Sequence, residues 1–174
     1  MVMVDARPFN ARFCKPVIDD CKYFIASQCH PSVFEGLPKD RTYIWHTGAE
    51  LVSDILNKQS EQWWHIPGGS TVLLRAIPLF RMLGYKRFHL LGCDSCLDNE
   101  IHHAYEQKEN DGDTVLPVNV GGKIFYCNPW MISQAQEFID LIRALGEEIE
   151  LEIYGGLLHH ILEMGASYND IKEI

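Results

Sequence analysis

No stretch of this 174-residue chain approaches the ~18 consecutive apolar residues that a membrane span requires. The most apolar region, Val72 to Leu83, is interrupted by Arg75, Pro78 and Arg81, so no membrane partner is expected. The opening Met-Val-Met-Val-Asp-Ala-Arg-Pro lacks the basic flank and apolar run of a secretory signal. Positive charge is scarce: 15 Lys and Arg stand against 24 Asp and Glu, a net charge of −9. Sequence-indifferent binding to nucleic acid needs a basic surface, and this balance argues against it. It leaves nucleotides open, because a few backbone N–H groups can hold a phosphate. Six cysteines, at 14, 21, 29, 93, 96 and 127, are too sparse for a disulfide framework and read as reduced, mostly buried thiols of a cytoplasmic protein. Repeats and low-complexity segments are absent too.

What remains is an ordinary globular chain, 47% hydrophobic and 22% charged, long enough to bury a core as one domain over 1–174. Short apolar runs alternate with helical stretches. Val2–Val4, Tyr23–Ala26, Tyr43–Trp45, Trp63–Ile66, Phe88–Leu91 and Leu151–Tyr154 read as strands apolar on both faces, as a helix-covered parallel sheet requires. Ala49–Leu56 is a short amphipathic helix candidate. Thr71–Leu83 is apolar almost all round, with Pro78 expected to kink it and Gly84 to end it. The cleanest helix spans Trp130–Leu145, with Asn128 as its cap, Pro129 in its first turn and Gly146 as its stop. Its apolar stripe is Met131, Ala135, Phe138, Ile139, Ile142 and Leu145. Thr114–Val120 and Lys123–Cys127 around Gly121-Gly122 read as a β-hairpin. The fold expected is therefore α/β: a three-layer, Rossmann-like domain with a mostly parallel sheet, into which the loop 93–113 and the hairpin 114–127 are inserted.

Ligands in such sheets bind outside the carboxyl ends of the strands. The residues there are Ser27-Gln28-Cys29-His30-Pro31, His46-Thr47-Gly48, Pro67-Gly68-Gly69-Ser70-Thr71, Gly92-Cys93-Asp94-Ser95 and Gly155-Gly156. The Gly68-Gly69-Ser70-Thr71 turn suits a phosphate at a helix start, although it is neither GxGxxG nor a Walker loop; a plain strand-to-helix turn is the competing reading. Asp94 suits a magnesium ion, a ribose hydroxyl or base catalysis, against a solvated loop with Asp94 capping a turn. His102 and His103 follow on a long polar loop, and His30 and His46 lie on the proposed rim. Each histidine is also readable as an ordinary hydrogen-bonded side chain. Arg75, on an apolar helix, needs an anionic partner. The single Cys93-x-x-Cys96 lacks a second pair and reads as structural.

Gly68-Gly69-Ser70-Thr71-Val72, Leu74-Arg75-Ala76, Leu83-Gly84-Tyr85 and Phe88-His89-Leu90-Leu91-Gly92-Cys93-Asp94-Ser95 together resemble the MptE-like 6-hydroxymethylpterin diphosphokinase family, which is frequent in prophages. Asp5-Ala6-Arg7-Pro8, the stretch Ala26 to Phe34, His102-His103-Ala104-Tyr105-Glu106-Gln107 and Pro129-Trp130-Met131 extend the likeness over nearly the whole chain. The resemblance implies a Rossmann-like fold and magnesium-assisted transfer of diphosphate from ATP to a pterin-like acceptor. Other branches resemble glycosyltransferases that use nucleotide sugars and a sugar acceptor. The family places a strand, a Gly-Ser-Gly-Pro-Ser-like loop and a helix before its Asp-Ala-Arg-Pro strand, whereas Met1 directly precedes that strand here. The strand edge so exposed favours association with another chain, such as a homo-oligomer.

The expected function is thus a nucleotide-dependent transferase of the diphosphokinase type. Gly68, Gly69, Ser70, Thr71, Ser27, Gln28 and Ser95 would hold the nucleotide, and Asp94 would hold Mg2+ or activate the acceptor hydroxyl. His30, His46, His102 and His103 would supply acid–base or phosphate-contacting groups. A nucleotide-sugar glycosyltransferase and a catalytically silent accessory or assembly protein are the alternatives.

Overall fold

A computed structural model describes residues 1–48, 65–97, 112–165 and 167–173. The helix candidate at 49–56 and the pair His102 and His103 lie outside the described residues. Among those described, no helix is long and apolar enough to cross a membrane. The protein is mixed α/β. It divides into two compact units, Met1–Leu79 and Phe80–Ile174.

The first unit is built on a four-stranded parallel sheet in the order β1-β2-β3-β4. Its strands are β1 (Val2–Met3), β2 (Tyr23–Ala26), β3 (Thr42–Thr47) and β4 (His65–Ile66). The apolar run at 23–26 forms the strand its composition predicts, and Tyr23, Ile25 and Ala26 are wholly buried. Tyr23 escapes the cost of a buried hydroxyl because its oxygen accepts a 2.8 Å bond from the Ile18 N–H. Met3, Ile25, Trp45 and Ile66 join Val33, from α1 (Pro31–Phe34), and Leu79, from α2 (Val72–Met82), in one core cluster. β3 departs from the expectation of two covered faces: Tyr43 and Ile44 are exposed, and Tyr43 gains a stacking partner in Phe24, with ring centroids 5.1 Å apart. The helix over 72–82 continues through Pro78, which is buried together with Leu74, Ile77 and Leu79.

In the second unit β5 (Arg87–Leu91) pairs in parallel with β8 (Glu150–Tyr154). The register places Arg87 opposite Glu150, where they form an ion pair at 2.7 Å, and His89 opposite Glu152, with Nδ1 3.3 Å from the carboxylate. The hairpin of β6 (Leu116–Val120) and β7 (Lys123–Cys127) forms as the sequence predicts. Gly121 and Gly122 both have positive φ, 60° and 91°, the backbone that a tight two-residue hairpin turn demands. Its outer partner corrects the sequence reading. β6 pairs antiparallel with β9 (Ile171–Glu173), so the hairpin belongs to a three-stranded antiparallel sheet rather than being inserted into a parallel one. The sequence predicts no strand at 171–173, a segment too short and polar to announce one.

α3 (Pro129–Leu145) packs the middle of its predicted stripe, with Ala135, Phe138 and Ile139 buried. The stripe is broader than periodicity suggests, since Ile132 and Leu141 are buried while Met131, Ile142 and Leu145 are only half-buried. Asn128 caps this helix: its Oδ1 accepts a 2.8 Å bond from the Met131 N–H, and Gly146 closes the far end by donating to the Ile142 carbonyl. α4 (Gly156–Met164) buries Leu157, Leu158 and Ile161. Replacing Asn128 with Ala removes a cap whose typical worth is about 1 kcal/mol. Urea unfolding is expected to show a loss of that size at an unchanged denaturant slope.

Candidate functional site

The carboxyl ends of the first unit's parallel strands are arranged by hydrogen bonds between neighbours. Gln28, just past β2, donates from Nε2 to the Val4 carbonyl at 2.9 Å, and its Oε1 accepts from the Thr47 hydroxyl at 2.7 Å. One side chain therefore ties the ends of β1 and β3 to that of β2. Ser27 Oγ and His46 Nδ1 lie 2.9 Å apart on the same rim. His46 neighbours His65 across the β3–β4 ladder. Desolvation, then the charge His65 can carry, pushes the His46 pKa below its usual 6.5, so its ring is neutral at pH 7. His30 is occupied structurally: as the N-cap of α1, its Nδ1 accepts from the Ser32 N–H at 3.2 Å.

After β4 the chain turns through Gly68 at φ +123°, a conformation that side chains rarely adopt. A Cβ there would overlap the Leu74 carbonyl oxygen, so glycine is needed for space as well as for φ. Arg75 then secures the loop from α2, donating from Nε to the Gly69 carbonyl at 2.7 Å and from Nη1 to the Ile66 carbonyl at 2.8 Å. Two of the partners of this arginine are thus backbone oxygens. Thr71 is the N-cap of α2, its Oγ1 accepting from the Leu74 N–H at 3.3 Å. Helix geometry leaves the N–H groups of Val72 and Leu73 without intrahelical acceptors, at the positive end of the helix dipole.

Beside this turn lies a cavity of about 630 Å³. Ser70, Thr71 and Gln28 line it, as do Asp5, Asn10 and Phe13; residues 1–4, along β1, supply apolar wall. That volume is in the range that holds a small organic ligand. Of the residues assigned from sequence, the cavity gathers Ser70, Thr71 and Gln28; Gly68 and Gly69 shape its edge by holding the turn. Ser27, His30 and His46 are not among its lining residues. Asp5 and Asn10 were missed. Asp5 lies two residues past β1, within reach of the strand-end rule, but a two-residue strand with no element before it gives that rule little to act on.

Asp5 is held by Arg7. The Arg7 backbone N–H donates to Oδ1 at 2.9 Å, and Nε donates to Oδ1 at 3.0 Å and to Oδ2 at 2.8 Å, with Nη2 also paired to Oδ2. These bonds draw its pKa from 3.8 to about 2, against a smaller opposing effect of burial.

In the second unit Asp94 packs against the Gly155-Gly156 turn. Its carbonyl accepts from the Leu157 N–H at 2.7 Å, and a Cβ on Gly156 would overlap the Asp94 backbone. Asp94 therefore closes the start of α4. Ser95 adopts φ 48° and its Oγ donates to Gln134 Oε1 at 3.2 Å. Among the described residues no group of three His, Cys, Asp or Glu is placed to share a metal ion. The six cysteines are free thiols; three of them, Cys14, Cys29 and Cys127, are buried. Burial raises Cys29 to about 11 and Cys127 to about 12, so neither is a thiolate at neutral pH.

The chain matches no protein-family model, no curated protein and no solved structure.

Gly68→Ala is expected to cost at least about 1–3 kcal/mol through the strained φ and the overlap with Leu74. Thermal unfolding measures it. Asp5 has a folded pKa below its unfolded value, so its stabilising contribution is complete above about pH 4 and disappears as pH falls toward 2. The pair is partly exposed, so this contribution is under about 1 kcal/mol after screening. Asp5→Asn should flatten the acid limb of stability against pH by that amount, measured by urea unfolding between pH 2 and 6.

Proposed function

We propose that the chain is a nucleotide-dependent transferase of the diphosphokinase type that its motifs resemble, on a Rossmann-like framework. One observation supports this most: the cavity at the carboxyl end of the parallel sheet has a helix start, Ser70-Thr71-Val72, as part of its wall. A phosphate there meets the N–H groups of Val72 and Leu73, the Ser70 hydroxyl and the positive helix end. For a chain of net charge −9, such a local backbone site is how an anion is held without a basic surface.

In this reaction the acceptor hydroxyl oxygen forms a bond to the β-phosphorus of ATP. The bond from that phosphorus to the bridging α–β oxygen breaks, AMP leaves, and the hydroxyl proton passes to a base. In this reading the base is His46, whose pKa is held below its usual value by desolvation and which lies with Ser27 on the same strand-end rim, outside the cavity wall itself. Magnesium would lower the charge on the transferring phosphates, and it accepts a site of one or two carboxylates plus phosphate oxygens. Asp94 fits that part poorly, because it lies at the positive end of α4, where a further cation is disfavoured. In this reading magnesium arrives on the phosphates of ATP.

Calorimetric titration with ATP, UDP and CMP, each with and without magnesium, is the test. Magnesium-dependent ATP binding is expected. Preference for UDP or CMP would favour a nucleotide-sugar transferase, and binding of none, by a folded protein, would favour a catalytically silent one. Asp94→Asn should leave the magnesium dependence intact; its abolition would make Asp94 the metal ligand that the sequence suggested.

A further inference from the structure

At the carboxyl end of the parallel sheet, outside the cavity wall, one contact joins a hydroxyl to an imidazole. Ser27 Oγ lies 2.9 Å from His46 Nδ1, within the reach at which a serine nucleophile and its base operate. Both groups are held by the sheet. Ser27 directly follows β2, and its backbone N–H donates to the Trp45 carbonyl at 2.8 Å. His46 is the next residue of that neighbouring strand, β3. The serine is therefore anchored through its backbone to the strand that carries the histidine. On its other side Gln28 is fixed by its bonds to Val4 and Thr47. Ser27 is exposed and His46 half-buried, so the oxygen is accessible to a substrate while the ring is partly withdrawn from water.

With Ser27 donating to Nδ1, the neutral ring of His46 keeps its own proton on Nε2. Desolvation, then the charge of His65 on β4, disfavours the imidazolium. Among the described residues, His65 is the titratable group whose charge bears on His46.

We infer that Ser27 is a nucleophile with His46 as its general base, and that the pair cleaves small carboxylic esters through an acyl-serine. Ser27 Oγ forms a bond to the acyl carbon as its proton passes to His46 Nδ1. The bond from that carbon to the alcohol oxygen breaks, and the departing oxygen takes the proton. Water then bonds to the acyl carbon and gives one proton to Nδ1. The bond from that carbon to Oγ breaks, Oγ recovers the proton, and a carboxylic acid leaves. Esters are the class within reach, because an alkoxide departs with less help from an acid than an amine requires. The inference goes beyond the nucleotide reading and does not rest on it, since no phosphate takes part.

The test treats the full chain with diisopropyl fluorophosphate, which puts phosphorus on an activated serine oxygen and releases fluoride. Mass spectrometry is expected to find the adduct on Ser27 of the folded protein and not of the urea-unfolded one. Its rate should rise with pH to a plateau, with a midpoint below 6.5, the ordinary histidine value. His46→Gln should slow labelling about a hundredfold, and Ser27→Ala should abolish acetyl-enzyme formation from p-nitrophenyl acetate. No adduct on Ser27, or a rate still climbing with hydroxide above about pH 8, overturns the inference. Unchanged labelling of a folded His46→Gln protein overturns it as well. Should that variant not fold, the adduct position and the pH profile of the unaltered chain decide. ATP binding is measured separately, so either reading can fail while the other stands.

Discussion

The two bonds from Arg75 to the carbonyls of Ile66 and Gly69 are the constraint on which the candidate site depends. They join the end of β4 to the first turn of α2 through the helix's own side chain. The loop between them is thereby closed back on the helix that follows it. Gly68 makes this closure sterically possible, since any side chain there would meet the Leu74 carbonyl. With the loop closed, Thr71 is placed to cap α2, and Ser70 and Thr71 face the cavity rather than solvent alone. A guanidinium suits this task because its planar fork reaches two acceptors at once and never loses its charge.

Gln28 plays the matching part at the other strand ends. Its amide links the Val4 carbonyl to the Thr47 hydroxyl and so fixes the spacing of β1, β2 and β3 just where a ligand would meet them. The two carboxylates that follow strands differ correspondingly. Asp5 is kept ionised by Arg7 at the cavity, whereas the backbone of Asp94 is committed to the start of α4. Carboxylates that follow a strand thus line a cavity in one unit and close a helix start in the other. The difference comes from what the neighbouring chain presents: an arginine fork beside Asp5, and the N–H groups of a helix beside Asp94.

Much of the local structure was readable in advance because its causes are local. Asn128, Pro129 and Gly146 bracket α3 by side-chain and backbone bonds that span only a few residues. Gly121-Gly122 makes the hairpin turn through two positive φ values, which glycine adopts at no steric cost. The continuous run Tyr23–Ala26 forms the central buried strand. The pairing of β6 with β9 was hidden, since a three-residue strand derives its stability from its partner rather than from its own composition. Arg75 showed the same limit. Its place on an apolar helix predicts an anionic partner, but not that the carbonyls of Ile66 and Gly69 also accept from it.

Sequence by itself determined the mixed α/β character, the glycine turn opening α2, the capped helix at 129–145 and the poverty of positive charge. Those properties follow from composition, period and the stereochemistry of single residues. Tertiary structure alone decided that Asp5 and Asn10 share a cavity with Ser70 and Thr71, which lie some sixty residues further along the chain. It also decided that His30 caps a helix while His46 faces Ser27. Such neighbours are chosen by strand order and register, which no local propensity encodes.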